Sequence, residues 1–357
     1  MTTTTDDTRS RIAEELGRDR LLELLSDMMM IRRFEERSAA GYQQAKIGGF
    51  CHLYNGQEAV AVGSVAALKD DDPLITAYRD HGHALARGMD PKYAMAELYG
   101  KITGCSKGKG GSMHLFDRDN HMYGGHAIVG GHLPLGVGLA FSIQYQEKDN
   151  VCICYFGDGA LNQGAFHEAA NLAGLWNLPI LFVVENNQYA MGTHIARGTT
   201  AADDLSVKAK AYEMRYAECD GMDFFDVYEC FKREADLSRP SGENAGPVFV
   251  NAKTYRYQGH SMSDPQKYRS KEEVAEHQEV DPINTLVNFL IEADLADQDT
   301  IDEMDKSAKQ TAKDAVKFAE ESDDTPASEL YTDVYSEPYG PYEKGDLPEM
   351  CRPDDSA

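Results

Sequence analysis

Oxygen donors stand out among the residues of this chain whose types and spacing suit chemistry. Asp158 lies in Gly157-Asp158-Gly159, Asn187 closes an Asn186-Asn187 pair, and Tyr189 follows two residues later. A carboxylate, a carboxamide and a nearby backbone carbonyl, with no thiolate or imidazole among them, suit Mg²⁺ or Ca²⁺ rather than zinc. Mg²⁺ rarely sits in an all-protein cage and keeps positions for phosphate oxygens and water. The glycines beside Asp158 let backbone N–H groups approach a phosphate, and a helix starting after them points its positive end at it. Either motif alone also reads as an ordinary Asp-Gly or Asn-Asn turn. The two together, at corresponding strand ends, are the more specific signal.

The elements that must position these residues run from Val151 to Tyr189. VCICYF is an apolar run of the kind a buried parallel strand shows, and ILFVVE is a second. Between them Phe166, Ala169, Ala170, Ala173 and Trp176 recur at helical spacing, until Asn177-Leu178-Pro179 stops the helix. This is a βαβ unit with a right-handed crossover and parallel strands. Its two strands end on one edge of the sheet, the edge where open α/β sheets bind ligands. Asp158 and Asn187 are therefore expected to meet.

Bulk properties narrow the partners. The 357 residues carry 60 Asp plus Glu against 35 Lys plus Arg, a net charge of −25, which excludes nucleic acid and anionic membrane surfaces as partners of the whole chain. The seven cysteines are scattered with no CxxC, which fits a reducing compartment and not a disulfide framework. No apolar run reaches membrane-span length and MTTTTDDTRS has no signal-peptide core, so the chain reads as cytoplasmic.

Further candidates sit near other strand ends. Tyr78, Arg79, Asp80, His81 and His83 crowd the end of a short strand, and the Arg79 fork matches phosphate oxygens. His260 follows the strand GPVFVNAKTYRY directly. His52 stands near Gly48-Gly49, and reads either as a structural histidine or as part of a site. Residues 101–125 form a basic, glycine-rich loop that lacks the GxxxxGK[ST] order of a nucleoside triphosphate loop and reads as a ligand cover. Domain organisation follows: a disordered tail over 1–10, an α/β domain over 11–270, a helical extension of it over 271–335, and an extended tail over 336–357.

Several blocks occur together and in order: GFCHLYNGQEA, TAYRDHG, KGKGGSMHLF, GDG followed by ENNQYAMGT, and KTYRYQGHSMSDPQKYR. In these blocks the chain resembles the alpha subunits of thiamine diphosphate-dependent 2-oxo acid dehydrogenases, those acting on pyruvate above all, over residues 15–335. The resemblance implies a parallel-sheet thiamine diphosphate-binding α/β fold with helices on both faces and a helical C-terminal appendage. It implies oxidative decarboxylation of pyruvate and reductive acetylation of a lipoyl group. The partners it implies are a beta subunit, in an alpha2-beta2 heterotetramer, and the lipoyl domain of a dihydrolipoamide acetyltransferase.

Site roles follow from the same resemblance. Asp158, Asn187 and the Tyr189 carbonyl would hold Mg²⁺. Tyr78, Arg79, Gly159, Ala160 and His260 would contact the cofactor, chiefly its diphosphate, and Val129 its rings. Phe50 and His52 would lie near the substrate, with His52 and His260 as the catalytic histidines and His260 serving acyl transfer to lipoyl. The carboxylate that activates the cofactor would come from the beta subunit, leaving this chain inactive alone. Ala127 departs from the glycine common at that position, and Gln258 from His or Arg. Ser261 matches the first serine phosphorylated in mitochondrial forms, but the second is missing. Branched-chain 2-oxo acids or acetoin as substrate, and a non-catalytic partner chain of the same fold, are the alternatives.

Overall fold

The computed structural model describes residues 5–334. Eight strands form in chain order: β1 Leu74–Ala77, β2 Met122–His126, β3 Cys152–Gly157, β4 Ile180–Asn186, β5 Tyr189–Ala190, β6 Thr193–His194, β7 Arg215–Asp220 and β8 Val248–Lys253. Six of them make one parallel sheet in the order β2-β1-β3-β4-β8-β7, while β5 and β6 pair as a small antiparallel hairpin. The expected βαβ unit is present: β3, the helix Gly164–Trp176 and β4, with Phe156 registered on Val184 and Gly157 on Glu185.

Alternation along the central strands explains why helices cover both faces. Ile153, Tyr155, Leu181, Val183, Val248 and Val250 point into one core, shared with the helices Arg18–Gln43, Glu58–Ala66 and Phe224–Ser238. Cys152, Cys154, Phe156, Phe182, Val184 and Phe249 point into a second, shared with the helices Leu133–Tyr145 and Gly164–Trp176. Each such Val, Leu, Ile or Phe side chain, fully buried, contributes about 1.5–3 kcal/mol. Strands buried on both faces read as continuous apolar runs, as β3 and β4 do.

The C-terminal helix Gln298–Glu321 buries Ile301, Ala308, Ala312, Ala315 and Ala319 and turns its charged positions outward. It packs along the helices Pro91–Leu98 and Arg18–Gln43. Of the expected disordered tail over 1–10, residues 1–4 lie outside the described residues and residues 6–10 need correction. A helix starts at Asp6, because the Thr5 hydroxyl caps it by accepting from the Thr8 N–H at 3.3 Å. The expected tail over 336–357 lies outside the described residues. Among the described residues no helix is long and apolar enough to cross a membrane.

A buried ion pair braces the sheet's other end. Arg239 donates to both Asp72 oxygens at 2.9 and 2.8 Å, and Asp72 also accepts from the Val151 N–H at 3.0 Å. Asp72 just precedes β1 and Val151 just precedes β3. The two strands that flank the change of chain direction in the sheet are thereby held in register at their entry, and their carboxyl ends open a crevice on the opposite edge.

Candidate active site

That crevice is a pocket of about 250 Å³. β1 is followed directly by Tyr78 and Arg79, and β3 runs into the short 3-10 turn Asp158–Asn162, which supplies Asp158, Gly159 and Ala160. The turn after β4 contributes Asn187 and Tyr189, the loop after β2 contributes Val129, and the loop after β8 contributes His260. All nine line the same pocket. Gln188 adopts a φ of 70°, which turns the chain sharply so that Asn187 and Tyr189 face one space. Gly159 sits against Ala190, where an added Cβ would lie 2.6 Å from the Ala190 Cβ, so glycine is needed for that approach.

His52 and Phe50 stand beside this wall and not in it. The His52 ring lies 4.5 Å from Tyr78 and 5.1 Å from His260, and the Phe50 ring lies 6.3 Å from His52. Phe50 is 60 % exposed. Arg79 donates to the Leu53 carbonyl at 2.6 Å and to the His260 carbonyl at 2.8 Å, so one guanidinium ties the segments carrying both histidines to the end of β1.

Charge in the pocket is unbalanced in an informative way. Burial pushes the Asp158 carboxyl up to about 6, with Arg256 pulling it back down. Asp158 Oδ2 is buried without a hydrogen-bond partner. Burial, with Arg79 adding to it, drives His52 down to about 2 and His260 to about 3, so both rings are neutral at pH 7. Arg79 itself is lowered by burial and then by Arg256. The Arg79 guanidinium, an orphaned carboxylate oxygen and hard carbonyl oxygens make a set that accepts a divalent cation carrying an anion. Among the described residues no group of three or more His, Cys, Asp or Glu side chains forms a metal cluster. The oxygen set here contains one carboxylate, so it fits a cation whose remaining ligands are brought by a bound phosphate.

Comparison with known proteins bears on the whole chain. Residues 26–328 match the family model described as dehydrogenase E1 component. The pyruvate dehydrogenase E1 component subunit alpha of Rickettsia bellii is 46 % identical over 318 residues, 89 % of this chain and 96 % of that protein. The chain belongs to the dehydrogenase E1 component family. The protein of the same name from Rhizobium meliloti is 47 % identical over 321 residues, 90 % of this chain and 91 % of that protein. The chloroplastic subunit alpha-3 of Arabidopsis thaliana is 40 % identical over 342 residues, 94 % of this chain and 78 % of that protein.

This E1 chain also uses residues that sequence reasoning passed over. Arg256, 1 % exposed, donates to Asn187 Oδ1 at 2.9 Å, to the Tyr189 carbonyl at 2.6 Å and to the Met191 carbonyl at 2.8 Å. Its signal in the sequence was an arginine between two tyrosines at a strand end, TYRY, next to the histidine that was singled out. Gln57 accepts from Asn187 Nδ2 at 3.0 Å and donates to Glu185, which also accepts from the Tyr54 hydroxyl. Ser261 is buried and shares a hydrogen bond with Ser263 at 3.0 Å.

The glycine-rich loop closes on a side chain of its own chain. Glu97 accepts from the N–H groups of Ser106 and Gly108 through Oε2, both at 2.8 Å, and of Gly110 and Gly111 through Oε1, at 2.8 and 3.0 Å. The loop has the anion-cradling geometry its glycines suggested, and the anion is Glu97.

Proposed function

We propose that this E1 chain is the alpha subunit of a pyruvate dehydrogenase that uses thiamine diphosphate and Mg²⁺. The observation that carries the reading is the orphaned, buried Asp158 Oδ2 in one pocket wall with Asn187 and the Tyr189 carbonyl, a set that a divalent cation bound to a diphosphate would complete. The names of the relatives, with their near full-length coverage, support pyruvate as the substrate. When bound, thiamine diphosphate supplies the carbanion that adds to the 2-oxo acid and the electron sink for loss of carbon dioxide.

The chain's own residues do the rest. Asp158, Asn187 and the Tyr189 carbonyl hold the cation. Arg79, Tyr78, the Gly159 and Ala160 segment and His260 bind the diphosphate, and Val129 meets the ring end. Phe50 and His52 stand where the substrate enters, the first excluding water and the second offering a neutral imidazole. His260, also neutral, holds or passes a proton during acyl transfer to a lipoyl group, the task for which an imidazole suits best.

Among the described residues, the pocket lining offers no free carboxylate to activate the cofactor. Of the two carboxylates that line the pocket among the described residues, Asp158 belongs to the cation set, and Glu185 accepts from Tyr54 and Gln57. A beta subunit would supply it, in an alpha2-beta2 assembly that acetylates the lipoyl domain of an acyltransferase. Residues 11–270 would be the cofactor domain and 271–335 its helical extension, a division supported by the core they share. The reading is tested by calorimetry on the chain assembled with its beta subunit. Thiamine diphosphate should bind only when Mg²⁺ is present; absence of binding in both conditions would favour a non-catalytic chain of this fold.

A further inference from the structure

Asn187 is gripped from two sides by residues that lie behind the pocket wall. Asn187 and Tyr189 line the pocket, whereas Arg256 and Gln57 do not. Arg256 is a donor only, so the Asn187 atom it meets at 2.9 Å must be the oxygen. The Asn187 nitrogen then points the other way, to Gln57 Oε1 at 3.0 Å. Gln57 in turn sends its nitrogen to Glu185 Oε1 at 3.4 Å. With a guanidinium at one end and a carboxylate at the other, each amide in the row has one orientation that satisfies its neighbours.

The same Arg256 nitrogen that meets Asn187 Oδ1 also donates to the Tyr189 carbonyl at 2.6 Å. The Asn187 oxygen also accepts from the Tyr189 N–H at 3.4 Å, a long bond that closes the turn on itself, whereas the Tyr189 carbonyl has a second lone pair left over. The other Arg256 nitrogen reaches the Met191 carbonyl and the Tyr268 hydroxyl, both at 2.8 Å. Tyr268 donates to Asp264 at 2.6 Å, and Asp264 accepts from the His260 N–H at 2.7 Å. The turn that carries two oxygens and the loop that carries His260 are thus joined through one buried side chain.

We propose that Arg256 and Gln57 are positioning residues for the divalent cation: together they hold the Asn187 carboxamide and the Tyr189 carbonyl in one orientation before any ion arrives. The inference rests on the cofactor reading above. Outer partners of this kind commonly change metal affinity 10–100-fold when removed.

The test is a calorimetric Mg²⁺ titration at saturating thiamine diphosphate, on the chain assembled with its beta subunit, for wild type, Arg256→Met and Gln57→Met. Both substitutions should weaken Mg²⁺ binding by about 10–100-fold. Raising Mg²⁺ should then restore the kcat of Gln57→Met while the Mg²⁺ concentration for half-maximal rate stays shifted. A structural role alone would lower the melting temperature or kcat at every Mg²⁺ concentration without moving the Mg²⁺ affinity, and that result would overturn the proposal. Gln57→Met leaves every Arg256 hydrogen bond in place, so it carries the test if Arg256→Met does not assemble. A wild type without Mg²⁺-dependent cofactor binding would sink the cofactor reading itself; a normal wild type with unshifted variants sinks only this inference.

Discussion

The rings of His52 and His260 lie 5.1 Å apart, edge to face at 83°. They come from a loop before the first strand and a loop after the last, and both are held neutral by burial and by Arg79. A proton on either ring would face two buried guanidiniums, Arg79 and Arg256, with no carboxylate hydrogen-bonded to it.

This sets a sign for pH dependence. The folded-state His52 value is about 2, below the ordinary 6.5, so between those values the unfolded chain binds the extra proton. The stability that neutral His52 contributes is complete above pH 6.5 and is lost as pH falls, by at most about 1.4 kcal/mol per pH unit. His52→Asn should therefore gain in melting temperature relative to wild type as pH drops from 6.5 to 5. Parallel curves for the two proteins would show that burial does not hold this ring neutral.

Asp158 predicts an opposite pair of effects from one substitution. Burial disfavours its charged form and pushes its carboxyl up to about 6. Asp158→Asn, which removes the charge, should raise the melting temperature without Mg²⁺ and cofactor, and abolish the further rise that Mg²⁺ plus thiamine diphosphate gives. Thermal unfolding in both conditions measures this. A variant still stabilised by the pair would remove Asp158 from the cation site.

The same βαβ stretch shows how much was legible. β3 and β4 are buried on both faces, so their sequences are plain apolar runs, and the residues just past them could be placed on one edge. The hairpin β5-β6 was not foreseen, and within the six-stranded sheet the strands not foreseen are β2 and β7, its two outer strands. MYGGH and RYAECD carry glycines or charges because an edge strand has a neighbour on one side only. Arg256 and Gln57 were missed for a different reason. They act on Asn187 through hydrogen bonds between segments far apart in the chain, and no periodicity or local motif records such a contact. The helix from Asp6 was missed because MTTTTDDTRS is polar, although Thr5 caps it.

Glu97 gives a third prediction. Four backbone N–H groups converge on its two oxygens. Glu97→Gln would turn an NH₂ toward two of those half-buried donors and leave them unpaired, at a cost for each toward the lower end of the about 1–3 kcal/mol of a fully buried group. Limited proteolysis should then cut within 101–116 where wild type resists, while Mg²⁺-dependent cofactor binding persists. Unchanged resistance would mean that the cradle does not order the loop.

Phe50 gives a fourth. Its exposed ring stands beside His52 outside the pocket wall, so, on the proposed function, Phe50→Ala should raise the KM for substrate and leave cofactor affinity unchanged. Steady-state kinetics with a parallel calorimetric titration separates the two; a loss of cofactor affinity would move Phe50 into the cofactor site.

The most direct measurement is dye-linked oxidation of 2-oxo acids by the chain assembled with its beta subunit, with Mg²⁺ and thiamine diphosphate supplied. Turnover should be fastest with pyruvate, slower with branched-chain 2-oxo acids, and absent when either subunit, Mg²⁺ or the cofactor is left out. Preference for a branched-chain acid or acetoin would contradict the substrate, and full activity of this chain by itself would contradict the account of a site that needs a second subunit's carboxylate.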